Sequence, residues 1–318
     1  MRYVFRIDAS PLIGAGHVMR SSAIAEEMIS RGLHTVFVGE ISDMPWLANR
    51  IENLGFTEIH KNTKDFKSRT KTDILILDSY ELPIKDGFIQ TENWKLVINI
   101  FDSSTPSYKC QMRIHPGITD DWEQLPKVFT LAGVQYIPLR SSLQKQKKEI
   151  TDPLQIIITG GGSDSNNFVE AILGVLSESE EDFQASIFTN HPFLPILDNR
   201  FQFKSLGIDF DLAVSKTDLA FTTASTTCLE FLATGSAIGI GCAVQNQESN
   251  YLKLGELEIA CLVGIYLNGS WELNKDSILE IVSSKYLREK LQWKARNYID
   301  LNGAVRIVDN ILDFIATS

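Results

Sequence analysis

The chain alternates short apolar runs with longer stretches in which apolar and polar positions recur at helical spacing. Tyr3 to Ile7 is an apolar run of strand length, and Ser21 to Arg31 predicts an amphipathic helix closed by Gly32. Thr35 to Val38 predicts a second strand, and Met44 to Asn53 a helix ended by Gly55. Ile74 to Leu77 and Leu96 to Ile100 predict two more strands, with a helix expected from Asp86 between them. Apolar strands separated by helices predict a parallel sheet covered on both faces.

The polar run Gln144-Lys-Gln-Lys-Lys-Glu149, followed by Pro153, reads as a solvated loop and a domain boundary. Beyond it the pattern restarts. Leu154 to Ile158 is a continuous apolar strand, followed by Thr159-Gly-Gly-Gly162 and a helix expected over Asn166 to Leu176. Ala185 to Phe188, Leu219 to Phe221 and Ala237 to Ile240 predict further strands, and Thr226 to Thr234 a helix closed by Gly235. Ser283 to Ala316 is helical in pattern. The expectation is α/β: two doubly wound, Rossmann-like domains, 1–148 and 149–318, with the final helix a candidate to pack back on the first.

A length of 318 residues suits two domains of roughly 150 each. The formal charge of -10 argues against nucleic acid or an anionic membrane as partner, since both need basic surface. A nucleotide ligand stays open, because backbone amides bind phosphate whatever the net charge. The cysteines, Cys110, Cys228, Cys242 and Cys261, form no CxxC pair and read as reduced thiols, not a disulfide framework or zinc site. With no leader pattern and no apolar run of membrane length, the expected location is the cytoplasm.

In open parallel sheets, ligands sit at the carboxyl ends of strands, where helix N-termini present free amides. The first such loop is Asp8-Ala-Ser-Pro-Leu-Ile-Gly-Ala-Gly-His-Val-Met-Arg20. Gly14 and Gly16 suit close approach of a ligand and positive φ. His17, at the start of the following helix, is the candidate for moving a proton, facing the ligand. His34, His60, His115 and His191 lack this context and read as surface or packing residues. The loop is neither a Walker P-loop nor a GxGxxG turn, because no Gly-Lys-Ser/Thr follows and position 19 is Met.

The second loop, Thr159-Gly160-Gly161-Gly162-Ser163-Asp164, exposes amides suited to a diphosphate. The third, Thr222 to Glu230, places small hydroxyl residues, with Ala224 and Ser225, before a helix. Glu230 shares a helix face with Thr226 and suits a ribose diol, although a solvated helix glutamate is the plainer reading. Asp78-Ser79-Tyr80 and Asn246-Gln247-Glu248 follow strands and either serve ligand recognition or are ordinary loop polarity. No carboxylate–histidine cluster with metal-ligand spacing appears, so no metal and no cofactor are expected.

Taken in order, these segments resemble the UDP-2,4-diacetamido-2,4,6-trideoxy-β-L-altropyranose hydrolases of pseudaminic acid biosynthesis. Arg6-Ile-Asp-Ala-Ser10 with Ile13-Gly-Ala-Gly-His-Val-Met-Arg20 carries the likeness most strongly. It extends through Leu77-Asp-Ser-Tyr80, Gly133 to Tyr136 with Leu139-Arg140, Gly160-Gly-Gly with Asp164, Ala224-Ser225 with Glu230, and Asn246-Gln247. Asp300, Gly303-Ala304 and Arg306 resemble the closing helix. The chain departs from the pattern at Phe101-Asp102-Ser103, at Met112-Arg-Ile-His-Pro116 and at Arg140-Ser-Ser-Leu143.

The resemblance implies a GT-B-like arrangement with an interdomain cleft. In it the C-terminal domain holds a UDP-sugar, and the N-terminal domain presents the glycine loop to sugar and water. It also implies that His17 activates a water that attacks the anomeric carbon, with Arg20, Asp78, Tyr80 and Arg140 among the substrate-binding residues. The rival readings are a glycosyltransferase using a UDP-sugar donor and a nucleotide-sugar-binding protein without chemistry.

Overall fold

A computed structural model describes residues 1–11, 13–67, 71–102, 108–118, 127–143, 152–162, 164–189, 198–206 and 208–317. The chain divides into two compact units, residues 1–141 with 302–318, and residues 142–301. The polar run at 144–149, His191 and Ser163 lie outside the described residues.

The first unit runs β1 (Tyr3–Ile7), α1 (Gly16–Ser30), β2 (Thr35–Val38), α2 (Pro45–Asn53), β3 (Glu58–His60), β4 (Ile74–Asp78), β5 (Leu96–Ile100), β6 (Met112–His115) and β7 (Phe129–Ala132). These strands form one sheet in the order β3-β2-β1-β4-β5-β6-β7, parallel throughout. All five residues of β1 are buried, because alternate side chains enter different cores. Tyr3, Phe5 and Ile7 pack with Val18, Ile24 and Met28 of α1; Val4 packs with Val36, Leu75, Val97 and Trp94.

The second unit runs β8 (Leu154–Thr159), α3 (Phe168–Leu176), β9 (Phe183–Phe188), β10 (Phe201–Lys204), α4 (Ile208–Val214), β11 (Leu219–Thr223), α5 (Thr226–Thr234), β12 (Ala237–Cys242), α6 (Glu248–Glu256), β13 (Cys261–Leu267), β14 (Ser270–Leu273), α7 (Lys275–Ser283) and α8 (Lys285–Tyr298). Its sheet order is β10-β9-β8-β11-β12-β13-β14, parallel except for the antiparallel β13–β14 hairpin. Leu154, Ile156 and Ile158 of β8 pack against Phe168, Ile172 and Leu176 of α3.

The last helix, α9 (Gly303–Thr317), belongs to the first unit. Ala304, Ile307, Val308 and Ile311 are its buried face, spaced as one stripe of a helix, and the last three enter the core that contains β1 and α1. Its start is docked tightly: a Cβ on Gly303 would lie 2.0 Å from the Ile137 carbonyl oxygen.

Two expected helices differ. From Asp86 onward the chain forms two single 3₁₀ turns, Gly87–Ile89 and Thr91–Asn93, instead of an α-helix. The Asp86 side chain accepts from the Phe88 amide, and the Trp94 indole donates to the Phe88 carbonyl, so local bonds replace the helical ladder. Before α3, Asn166 and Asn167 are left-handed, with φ of 61° and 54°, which delays the helix to Phe168.

Candidate active site

Both sheets reverse their strand order at one place, between β1 and β4 in the first unit and between β8 and β11 in the second. At such a point, neighbouring strands send their connections to opposite faces and leave a crevice at their carboxyl ends. The chemistry-bearing residues gather at these two points.

In the first unit, parallel register sets Ile7 beside Asp78, so the β1 loop opens next to the end of β4. Gly14 takes φ +87° and its amide bonds to the Ser10 carbonyl, turning the chain into α1. Gly16, in contrast to the expectation of positive φ, is the first residue of that helix. His17 and Arg20, one helical turn apart, then face Asp78 together. The Asp78 carboxylate bonds the His17 Nδ1 in a very short contact. It also accepts Arg20 Nε at 2.7 Å, Arg20 Nη2 at 2.5 Å and the Ser21 hydroxyl at 2.9 Å. Arg20 Nη1 donates to Asp102 at 2.5 Å, and the Tyr80 hydroxyl donates to the same carboxylate oxygen at 2.9 Å. The Tyr80 ring meets the His17 ring edge-on, with centroids 3.6 Å apart.

His17 is only 2% exposed, so the ring is enclosed where the sequence suggested an open one. Its Nε2 is buried and has no hydrogen-bond partner among the described residues. A buried polar atom without a partner is costly, and such atoms concentrate where a ligand completes them. Arg20 is 8% exposed and spends three nitrogens on two carboxylates, in place of the substrate contact expected for it.

Burial alone would raise the Asp78 pKa, but the Arg20 charge and then His17 outweigh it and hold the carboxyl well below the usual range. At Asp102, burial is likewise outweighed by Arg20. Burial pushes the Tyr80 hydroxyl up, which keeps it a donor. Because the folded values lie below the unfolded ones, this pairing stabilises the fold above the ordinary carboxylate range of about pH 4. The stability is lost as pH falls through the folded values. Arg20→Gln is therefore expected to be less stable at neutral pH and to lose less on acidification than the parent. Thermal midpoints measured across pH 3 to 7, about the carboxylate range, check this.

In the second unit, the loops after β8 and β11 approach each other. Gly161 needs its left-handed φ of +82°, and a Cβ there would lie in ordinary contact with the hydroxyls of Ser225, at 3.4 Å, and Thr227, at 3.5 Å. Gly160 is held closer still: a Cβ there would lie 2.0 Å from Asp164 Oδ1, and Asp164 accepts the Val169 amide at 3.2 Å. Gly162 completes the turn. Ser225 is the N-cap of α5 but makes no capping bond, and its hydroxyl and that of Thr222 are buried without partners among the described residues. The structure thus leaves hydroxyl groups and the positive end of a nine-residue helix beside a glycine turn.

The remaining residues divide. Ala224 is fully buried, its amide bonded to the Gly241 carbonyl. Glu230 is 5% exposed, which removes the solvated-surface reading. Gln247 accepts the Ala243 amide at 3.0 Å and reaches the Thr223 hydroxyl at 3.4 Å, so it ties the β12 loop to β11; Asn246 is exposed. Arg140 is buried near the end of the first unit's main segment. Sequence reading cast Asp102 only as a departure from a pattern and missed Ser21, while Thr227 stood only within the hydroxyl run of residues 222–230. The position of Asp102 just past β5, next to β4 in the sheet, was the available signal.

The chain is 25% identical over 217 residues to an uncharacterized protein, MJ1062, of Methanocaldococcus jannaschii. That match takes in 61% of this chain and 43% of the relative, so the chain spans less than half of the relative's length. The spinosyn rhamnosyltransferase SpnG complexed with thymidine diphosphate superposes with TM-score 0.63 at 10% identity, over 97% of this chain and 100% of that one. A structure titled as a UDP-N-acetylglucosamine 2-epimerase from Listeria monocytogenes gives 0.66 at 13% identity, over 100% and 97%. In fold, the chain is similar to glycosyltransferases. No protein-family model matches it.

Within that glycosyltransferase-like fold, no group of three or more His, Cys, Asp or Glu among the described residues stands where it could hold a metal. No described helix is long and apolar enough to cross a membrane.

Proposed function

We propose that this chain transfers the glycosyl group of a UDP-sugar to a hydroxyl nucleophile, with His17 as general base. One observation carries the reading: a buried imidazole whose Nδ1 meets a carboxylate and whose Nε2 has no hydrogen-bond partner among the described residues. In the step, the nucleophile oxygen bonds to the anomeric carbon, the bond from that carbon to the diphosphate oxygen breaks, and the nucleophile's proton passes to Nε2. Counting Arg20, Asp78 and Asp102, the cluster carries one net negative charge while His17 is neutral. Taking up the proton brings it to zero, so the charge developed in the step is balanced in place.

The diphosphate is assigned to the second unit. Gly160 to Gly162, Ser225, Thr227 and the α5 N-terminus supply donors to an anion. Glu230, one turn along α5 from Thr226, is assigned to the ribose hydroxyls. A solved relative in fold, the rhamnosyltransferase, is complexed with a nucleoside diphosphate, which supports this ligand class. Ser225→Asp, which sets a negative charge at the helix start, is expected to weaken UDP binding by at least about tenfold through repulsion. Calorimetric titration with UDP checks it, and unchanged affinity would remove the phosphate from this loop.

The fold relatives favour an acceptor hydroxyl as nucleophile. Water is the second reading, because two segments that resemble the sugar-nucleotide hydrolases, Ile13–Arg20 and Leu77–Tyr80, converge in the His17 cluster. Its product would be UDP and a free 2,4-diacetamido-2,4,6-trideoxy sugar. Release of free nucleotide from a panel of UDP-, CMP- and GDP-sugars, with and without acceptor sugars, separates the readings. Acceptor-dependent release supports transfer, and acceptor-free release supports hydrolysis. Tight UDP binding without turnover of any donor would make the chain a binding protein.

A further inference from the structure

We propose that Asn166 and Gln247 are positioning residues of the second unit: through Ala243 they brace the loops after β8, β11 and β12 into one preset cradle for the diphosphate, and Gln247 reads no part of the ligand. The inference rests on the assignment of the diphosphate to these loops and adds what holds their donors in place.

The brace is built on the two backbone groups of Ala243, a residue 3% exposed just past β12. Its carbonyl accepts the Asn166 side-chain amide, from the β8 loop, at 2.7 Å. Its N–H donates to Gln247 Oε1 at 3.0 Å, and Gln247 Nε2 donates in turn to the Thr223 hydroxyl, at the end of β11, at 3.4 Å. One residue further, the Ala224 amide bonds to the Gly241 carbonyl, so the β11 loop is tied to β12 twice before it reaches Ser225. Both ends of the Gln247 amide are thus engaged by protein.

The β8 loop needs such a tie because its backbone is strained. Asp164, Asn166 and Asn167 are all left-handed, with φ of 42°, 61° and 54°. Residues with a Cβ hold that conformation only where their neighbours fix it. Asn166 is fixed from outside its own loop at two points: its side chain by Ala243, and its carbonyl by the Trp271 indole of β14 at 2.7 Å. Glycine would take this φ more easily but has no amide to reach Ala243. The Phe168 and Trp271 rings close over Gly241, where a Cβ would lie 2.5 Å and 3.0 Å from them. Donors favour an anion most when they are held in place before it arrives. A cradle drawn from three loops has that property only while the loops keep their places, and Asn166 and Gln247 link them.

Titration of the wild type, Asn166→Gly and Gln247→Ala with uridine, UDP and UDP-N-acetylglucosamine tests the brace. Glycine leaves the left-handed turn open to residue 166 and removes the bond. In each variant, affinity for UDP and for UDP-N-acetylglucosamine is expected to fall alike, about three- to tenfold, while that for uridine changes less than about twofold, because uridine has no phosphate to place. The double variant is expected to lose less than the product of the two single losses, since either cut opens the same brace. In hydrogen exchange, Gln247→Ala should speed the amides of residues 160–162, which lie on a different loop.

Equal losses for uridine and UDP would reduce both residues to general structural support and overturn the inference. A loss confined to UDP-N-acetylglucosamine would make Gln247 a sugar-reading residue and overturn it as well. Should Asn166→Gly fail to fold, Gln247→Ala decides alone. If the wild type binds no UDP, the functional reading falls by itself, and unchanged exchange over residues 160–162 in Gln247→Ala overturns the brace.

Discussion

His17→Ala is expected to lower kcat for nucleotide release about 10²- to 10⁴-fold while leaving UDP affinity nearly unchanged, because the imidazole acts on the nucleophile's proton. The asymmetry follows from where each group stands. The donors assigned to the diphosphate lie on loops of the second unit, whereas His17 lies on α1 of the first. The substitution also removes a partner from Asp78, but Arg20 and Ser21 still satisfy that carboxylate, so the first unit should stay folded. Steady-state kinetics with saturating donor, set beside UDP titration, measures both halves. Full turnover in the variant would remove His17 from the reaction. A matched loss of UDP affinity and kcat would make it a binding residue.

The strands legible in the sequence are those buried on both faces. β1, β4, β8 and β12 are mostly apolar, with Arg6 and Gln155 their interior polar positions, and show no alternating polar register to obscure them. Edge strands were invisible for the opposite reason: β10 reads Phe-Gln-Phe-Lys and β14 Ser-Trp-Glu-Leu, four-residue stretches with half their positions polar. β6 hid because it buries the charged Arg113 and the polar His115 within only four residues. The site was legible residue by residue and misread in its connections. His17, Asp78 and Tyr80 stood out by position in loops after strands, and Arg20 only through the family resemblance. That Arg20 would be consumed by Asp78 and Asp102 depends on three strand ends, β1, β4 and β5, lying side by side, which only the sheet order supplies. In the second unit the glycine turn was read correctly as a turn. That the Ser225 hydroxyl has no partner among the described residues follows from the missing capping bond, and residue type alone argues the other way, since serine at an N-cap ordinarily caps.

Deleting residues 302–318 is expected to unfold the first unit while leaving the second folded. The segment is remote in sequence from the core it completes, yet Ile307, Val308 and Ile311 are fully buried in the cluster built on β1 and α1. Each such side chain contributes about 1.5–3 kcal/mol by leaving water, so three contribute on the order of 5–9 kcal/mol. A domain of this size is stable by only about 5–15 kcal/mol in total, so the loss consumes most of the margin. Deletion also uncovers the faces of Val18, Ile24 and Met28 that this helix packs against, which adds an exposed apolar patch and a tendency to aggregate. The second unit keeps its own core of β8, α3 and α7 and loses no contact of that cluster. Hydrogen exchange on the truncated chain should therefore show protection retained over 154–298 and lost over β1, β4 and β5. The point substitution Gly303→Ala, which drives a Cβ to within 2.0 Å of the Ile137 carbonyl, should act in the same direction with a smaller cost of about 1–3 kcal/mol. Protection of β1 unchanged by the deletion would mean that α9 lies on a unit already complete without it.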